Sequence, residues 1–248
     1  MKLSLAGFIL LTMFAGCQPS PEQGIARLWL YTHYNGNVKP AHIIPTSFLL
    51  IQSNGKYTRD FGTFEAGNWE LKDEQLMLYV NHRLAGSYFA REGGKTLMLI
   101  TGDGTVLNFE SKPLQQTDEA NPFSINNNQW RVKASQKEND TLLMKRIINH
   151  VKYWQTYFTW AFDNNLRSVD VRSTATPIKI YGNGLTLKKF KDLPPAWVNL
   201  FYDEDDCRRA NDLLEEKIKA MTIAWPQTDN KYKMFISAFQ QLHDNLQQ

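Results

Sequence analysis

The stretch Ser47–Val80, SFLLIQSNGKYTRDFGTFEAGNWELKDEQLMLYV, decides the fold. SFLLIQ runs into the turn Ser53-Asn54-Gly55, KYTRDF follows, and NWEL and QLMLYV flank the charged turn Lys72-Asp73-Glu74. Short apolar and aromatic runs broken by turn residues that tolerate positive φ are the mark of antiparallel hairpins. The same grammar extends outward. Upstream, ARLWLYTHY ends at Asn35-Gly36; downstream, LAGSYFA leads into Glu92-Gly93-Gly94-Lys95, TLMLIT into Gly102-Asp103-Gly104, and TVLNF follows. About eight strands between Ile25 and Lys112 predict a small antiparallel sandwich or barrel with up-and-down connections. Eight strands enclose room for side chains or for one small ligand. Trp29, Phe48, Leu50, Trp69, Leu76, Leu78, Leu97, Leu99 and Leu107 fit a filled interior, with a ligand-holding calyx as the alternative.

Trp29, Phe48, the run Gly55-Lys56-Tyr57, the run Gly67-Asn68-Trp69-Glu70-Leu71, and Leu76 with Leu78 together resemble the lipocalin-like domains of exported bacterial lipoproteins. Arg27 stands where that pattern places a glycine. The resemblance implies a lipocalin-like β domain over residues 25–112.

The N-terminus gives an address. Lys2 precedes an uncharged run of 12 residues, Leu3 to Phe14, and the small pair Ala15-Gly16 comes just before Cys17. A basic start, a short apolar core and small residues at a cut site describe a signal peptide over residues 1–16. The run falls short of the roughly 20 residues that span a bilayer. Phe14-Ala15-Gly16-Cys17 resembles the lipobox of bacterial lipoproteins, with Phe14 in place of the usual Leu. That resemblance implies cleavage between Gly16 and Cys17, and a diacylglycerol and an N-acyl chain carried by Cys17. Gln18, in place of a retaining Asp, favours the outer membrane, and the absence of an acidic run after Cys17 favours its periplasmic face. Residues 17–24 would be the lipidated cysteine and a tether reaching about 25 Å.

The remaining chain is long enough for a second domain. KPLQQTDEANPFSINNN closes the β unit, so residues 113–128 read as a linker and residues 129–248 as a mainly helical domain. Asn139-Asp140-Thr141 supplies capping chemistry for a helix to about Asn164, with Leu143, Ile147, Val151, Trp154, Phe158 and Ala161 on one face. Beside that face runs a second stripe, Tyr153, Tyr157 and Trp160, which reads either as burial against the β unit or as a partner-docking surface. A hairpin is expected at 178–190 and helices at about 203–221 and 229–246. The predicted fold class is therefore α+β.

Chemistry-bearing patterns are sparse. The acids Asp203-Glu204-Asp205-Asp206 suit a helix N-terminus, and Arg208 occupies the place where a calcium loop needs Gly. Cys207 lies on a stripe with Ala210 and Leu214 that fits a buried thiol. Neither a nucleotide loop, a serine elbow nor zinc-ligand spacing is present. The net charge of +3 carries no concentrated basic patch of the kind that nucleic-acid binding needs. The expectation is a non-enzymatic, membrane-anchored lipoprotein without cofactor beyond its covalent lipid. It would act as a binding or assembly module with another envelope protein, as an accessory subunit of a transport or secretion assembly. A carrier of a small, lipid-like molecule using the β domain as a calyx is the alternative.

Overall fold

The computed structural model describes residues 24–37, 40, 43, 46–114, 120–166, 176–181 and 184–248. Eight antiparallel strands form a closed barrel: β1 (Leu28–Asn35), β2 (Phe48–Ile51), β3 (Lys56–Asp60), β4 (Phe64–Lys72), β5 (Gln75–Val80), β6 (Arg83–Gly93), β7 (Thr96–Ile100) and β8 (Val106–Lys112). Each strand pairs with its sequence neighbours, and β1 closes the ring on β8 from Leu28↔Lys112 to Asn35↔Val106. Closure removes the exposed edges that an open sheet would present. Two tight turns show why the register holds. Asp73 and Glu74 (φ 51° and 63°), and Asn81 and His82 (φ 49° and 63°), adopt the left-handed backbone that two-residue hairpins require. Gly67 is obligatory for another reason, since a Cβ there would lie 1.8 Å from the Tyr79 carbonyl oxygen.

The interior of the barrel is packed with side chains. Trp29, Leu49, Ile51, Tyr57, Trp69, Leu76, Leu78, Leu97, Leu99, Leu107 and Phe109 form one cluster, joined by Ile25 just ahead of β1. The indole N–H of Trp29 donates to the Ile25 carbonyl and that of Trp69 to the Gln52 carbonyl, both at 2.8 Å. An inward charged group completes the packing. Arg59 on β3 donates to Glu65 on β4 (2.8 Å from Nε), to the Tyr88 hydroxyl (2.6 Å) and to the Ala85 carbonyl (3.2 Å). Its guanidinium also lies over the rings of Phe61 and Tyr88, so its charge is paired and its plane stacked.

Phe48 and Leu50 are not in that interior, contrary to the sequence expectation. The register pairs Trp29 with Leu49, which turns Phe48 and Leu50 to the outer face together with Leu28 and Leu30. There they meet the helical half. This half comprises α1 (Asp140–Asp163), the hairpin β9 (Ile178–Tyr181) and β10 (Gly184–Leu187), a one-turn helix at Pro195–Val198, α2 (Glu204–Lys219) and α3 (Lys231–Leu246). The helices begin where polar caps dictate: Asn139 accepts from the Leu142 amide, Asp203 from Asp206 and Asn230 from Lys233. α2 and α3 pack on α1, and the whole is α+β.

The described residues of 113–128 do not form a free linker. Phe123 is fully buried, with Phe48 and Trp160 each 4.7 Å away by ring centroid, and its carbonyl accepts from the Thr58 hydroxyl at 2.8 Å. A buried ion pair fastens the same seam. Asp60 on β3 binds Arg131, which follows in the short turn Asn126–Arg131, and both side chains are less than a tenth exposed. The Arg131 guanidinium also lies over Phe64 and Tyr153 and donates to Asn128 at 3.2 Å.

Breaking one side of such a pair strands the other charge. Asp60→Asn is expected to cost about 3–5 kcal/mol in urea-unfolding free energy, and the double change Asp60→Leu, Arg131→Met distinctly less. Equal losses for the single and the double change would refute the ion-pair account.

Candidate functional site

Gly16 and Cys17 lie outside the described residues. The aromatic stripe on α1 is interior: Tyr153, Tyr157 and Trp160 are 4%, 2% and 1% exposed. Trp160 packs on Phe123 and donates its indole N–H to the Pro113 carbonyl at 3.2 Å, while Tyr157 lies 6.2 Å from Phe123. Burial pushes the Tyr153 hydroxyl up to about 12 and raises that of Tyr157 as well. As a docking surface the stripe is therefore corrected. The apolar arc of α1 is wide because that helix is covered by the barrel on one side and by α2 and α3 on others, and the folded chain offers none of the three rings to a partner.

The acidic cluster is structural. Asp206 is 1% exposed and accepts from the Glu138 amide and from Arg209, both at 3.0 Å; Arg209 also bonds Asp140 at 2.5 Å. These contacts tie the start of α2 to the segment leading into α1. Among the described residues no group of His, Cys, Asp and Glu is arranged to hold a metal. Cys207 is fully buried, and burial pushes its thiol up to about 11, which keeps it protonated at neutral pH.

His150 occupies an aromatic box on α1, with the rings of Trp197, Trp130 and Trp154 at 4.6, 5.3 and 6.3 Å. Nε2 meets the Thr176 hydroxyl at 3.2 Å, and Nδ1 is buried without a partner among the described residues. Burial, and then the charges of Arg131 and Lys188, hold its proton affinity well below the ordinary imidazole value.

A concave feature that sequence reading missed lies in the helical half. A groove of about 580 Å3 runs between the β9–β10 hairpin and the first turns of α3. Among the described residues its apolar lining is Ile180, Met234 and Phe235, and its charged lining is Lys179, Lys188, Lys231 and Asp192. Local structure places each group. Lys231, Met234 and Phe235 share a helix face at i, i+3 and i+4, and Phe235 is anchored by stacking on Phe158 at 4.9 Å. Lys188 follows β10, where its amide donates to the Pro177 carbonyl at 2.8 Å. Its amine is half-buried and held below the ordinary lysine value by burial first and by Lys179 second. No sequence signal joins these residues, since the lysines of the hairpin and of α3 lie more than forty positions apart.

No protein-family model, curated protein or solved structure matches the chain.

The box around His150 makes stability pH-dependent. The unfolded chain binds a proton at this imidazole near pH 6.5, whereas the folded chain does so only at lower pH, so stability is intact above about 6.5 and lost as pH falls below it. Unfolding free energy is expected to drop by up to about 1.4 kcal/mol per pH unit between pH 6.5 and 5 beyond whatever His150→Gln shows over the same range. Parallel pH profiles for the two proteins would contradict a neutral buried His150.

Proposed function

We propose that the chain is a non-enzymatic, lipid-anchored binding and assembly module of the bacterial cell envelope. Acyl chains on Cys17 would hold it at the periplasmic face of the outer membrane, and its helical half would engage another envelope protein, as an accessory subunit of a transport or secretion assembly. The observation that carries this reading is the shared core at the seam. Phe48, Phe123, Tyr157 and Trp160, with the Asp60–Arg131 pair beside them, join the barrel and the helical half into one body. A tether ahead of Leu28 would therefore carry both halves as one unit.

The closed eight-stranded barrel supports the likeness to lipocalin-like domains. Its interior, occupied by Trp29, Tyr57, Trp69 and Phe109, favours a pedestal over a ligand calyx. Tyr181, 80% exposed on β9, is a reporter for the helical face.

Two measurements test the reading. The wild-type chain is expected to incorporate labelled palmitate and sediment with outer membrane, whereas Cys17→Ser takes up no label and leaves the membrane fraction. Palmitate on the Cys17→Ser protein would overturn the anchor. A photoreactive amino acid replacing Tyr181 is expected to give one discrete cross-linked envelope protein in intact cells; a pattern of self-adducts alone would remove the assembly role.

A further inference from the structure

The outer face of the barrel is not uniform. On β1 and β2 it is apolar and covered by the helical half. On β8 it is polar, since Leu107 and Phe109 point inward and leave Asn108 and Glu110 outside. On β4 Trp69 points inward, with Asn68 and Glu70 outside. Strands β5 to β7 differ. Leu76, Leu78, Ala90, Leu97 and Leu99 belong to the interior, so Met77, Phe89, Met98 and Ile100 stand on the outside. Phe89 is 56% and Met98 38% exposed, and Met77 and Ile100 are half-buried beside them. Phe89 pairs with Ile100, and Met98 lies one diagonal step away, within reach of an aromatic ring. A solvated antiparallel face is ordinarily polar, and here it carries adjoining apolar side chains.

The chain ahead of the barrel is fastened beside this patch. Gly24 lies against Glu92 of β6, where a Cβ would come 3.2 Å from Oε2, and Arg27 donates to the Gly94 carbonyl at 2.5 Å. Met98 and Phe89 are two and four residues from the ends of the same β6–β7 turn, about 7 to 13 Å along their strands. A lipid on Cys17 could stand no farther than about 25 Å from Gly24. The charges around the patch are mixed. Glu92 and Glu110 are answered by Arg27 and Lys112, Arg91 and Lys95 are exposed, and Lys72, Asp73 and Glu74 form the neighbouring turn. The apolar side chains, not the sign of the charge, therefore select what covers the face. A second copy would meet it by diffusion alone, whereas the tether brings a bilayer to it. We infer that the β6–β7 hairpin is a second contact with the phospholipid surface: Phe89 and Met98 enter the boundary between headgroups and acyl chains, and Arg91 and Lys95 reach up to headgroup phosphates. This rests on the lipid-anchored reading and deepens it. Acyl chains alone leave the barrel free to tumble; a second contact fixes which side faces the bilayer, and the helical half, seated across β1 and β2, stands clear of it.

The test is a depth measurement on the full chain, purified from cells grown with labelled palmitate and mixed with vesicles of phosphatidylethanolamine and phosphatidylglycerol. An environment-sensitive fluorescent amino acid replaces Met98 or, as the reference, Gly102 in the β7–β8 turn at the other end of the barrel, where an added side chain meets open space. The probe at 98 is expected to shift to the blue, and to be quenched at least as strongly by a nitroxide on the upper acyl chain as by one on the headgroup. The probe at 102 should show neither change. A palmitate-bearing, vesicle-bound chain whose probe at 98 stays in water, is quenched from the headgroup alone, or behaves like the probe at 102 overturns the contact and leaves the anchor standing. Acyl-chain quenching at 98 on a chain without palmitate keeps the contact and ends the anchor, and absence of both palmitate and quenching removes both. A blue shift at 98 that needs no vesicles and grows with protein concentration assigns the face to a second copy and likewise ends the lipid contact.

Discussion

The architecture depends on two strands that are apolar on both faces. In β1 and β2, Trp29, Leu49 and Ile51 point into the barrel while Leu28, Leu30, Phe48 and Leu50 point out of it. A half-buried strand alternates apolar with polar residues; one covered on both sides reads as a continuous apolar run. Here that run means two hydrophobic cores back to back, separated by the thickness of one sheet. The outward core could not face water, so the helical half must sit on it. Phe123 fills the gap between Phe48 and Trp160, and the chain between barrel and helices becomes part of the packing.

Around these cores the polar groups that had to be buried are nearly all answered. Arg59 is matched by Glu65, Tyr88 and a carbonyl; Arg131 by Asp60 and Asn128; Arg146 by Glu138 through both carboxylate oxygens, at 2.5 and 2.8 Å, and by the carbonyls of Trp130 and Val132. Arginine recurs because its planar fork can pair with a carboxylate, reach carbonyls and stack on rings at once. Three described side chains are exceptions: the Tyr57 hydroxyl inside the barrel, Asn245 Oδ1 on α3, and His150, a polar ring among three tryptophans with one nitrogen unanswered.

Much of this organisation was legible in the residues. The turn residues located the eight strands, and Asn139 and Asp203 marked the starts of two helices because unsatisfied amides at a helix N-terminus need a side-chain acceptor. The inside and outside of β2 were not legible. Alternation says that Phe48 and Leu49 face opposite ways, but with both faces apolar only pairing with Trp29 shows which of them faces inward. The stripe Tyr153, Tyr157 and Trp160 carried a similar ambiguity, since a broad apolar arc announces cover without naming it. The groove could not have been read at all. Its lysines and its apolar lining come from a hairpin and a helix that tertiary packing alone brings together.

The position of β1 has a mechanical consequence. It is hydrogen-bonded on one side to β2 and on the other to β8, antiparallel to both, and it is the first strand among the described residues. Consider a pull along the axis of β1. It loads the bonds to both neighbours together instead of opening them one at a time, as a pull across the strands would. Withdrawing β1 would also drag Trp29 out of the barrel and Leu28 and Leu30 off the helical half. Load applied along β1 thereby meets the sheet in shear, the direction in which a sheet resists rupture best.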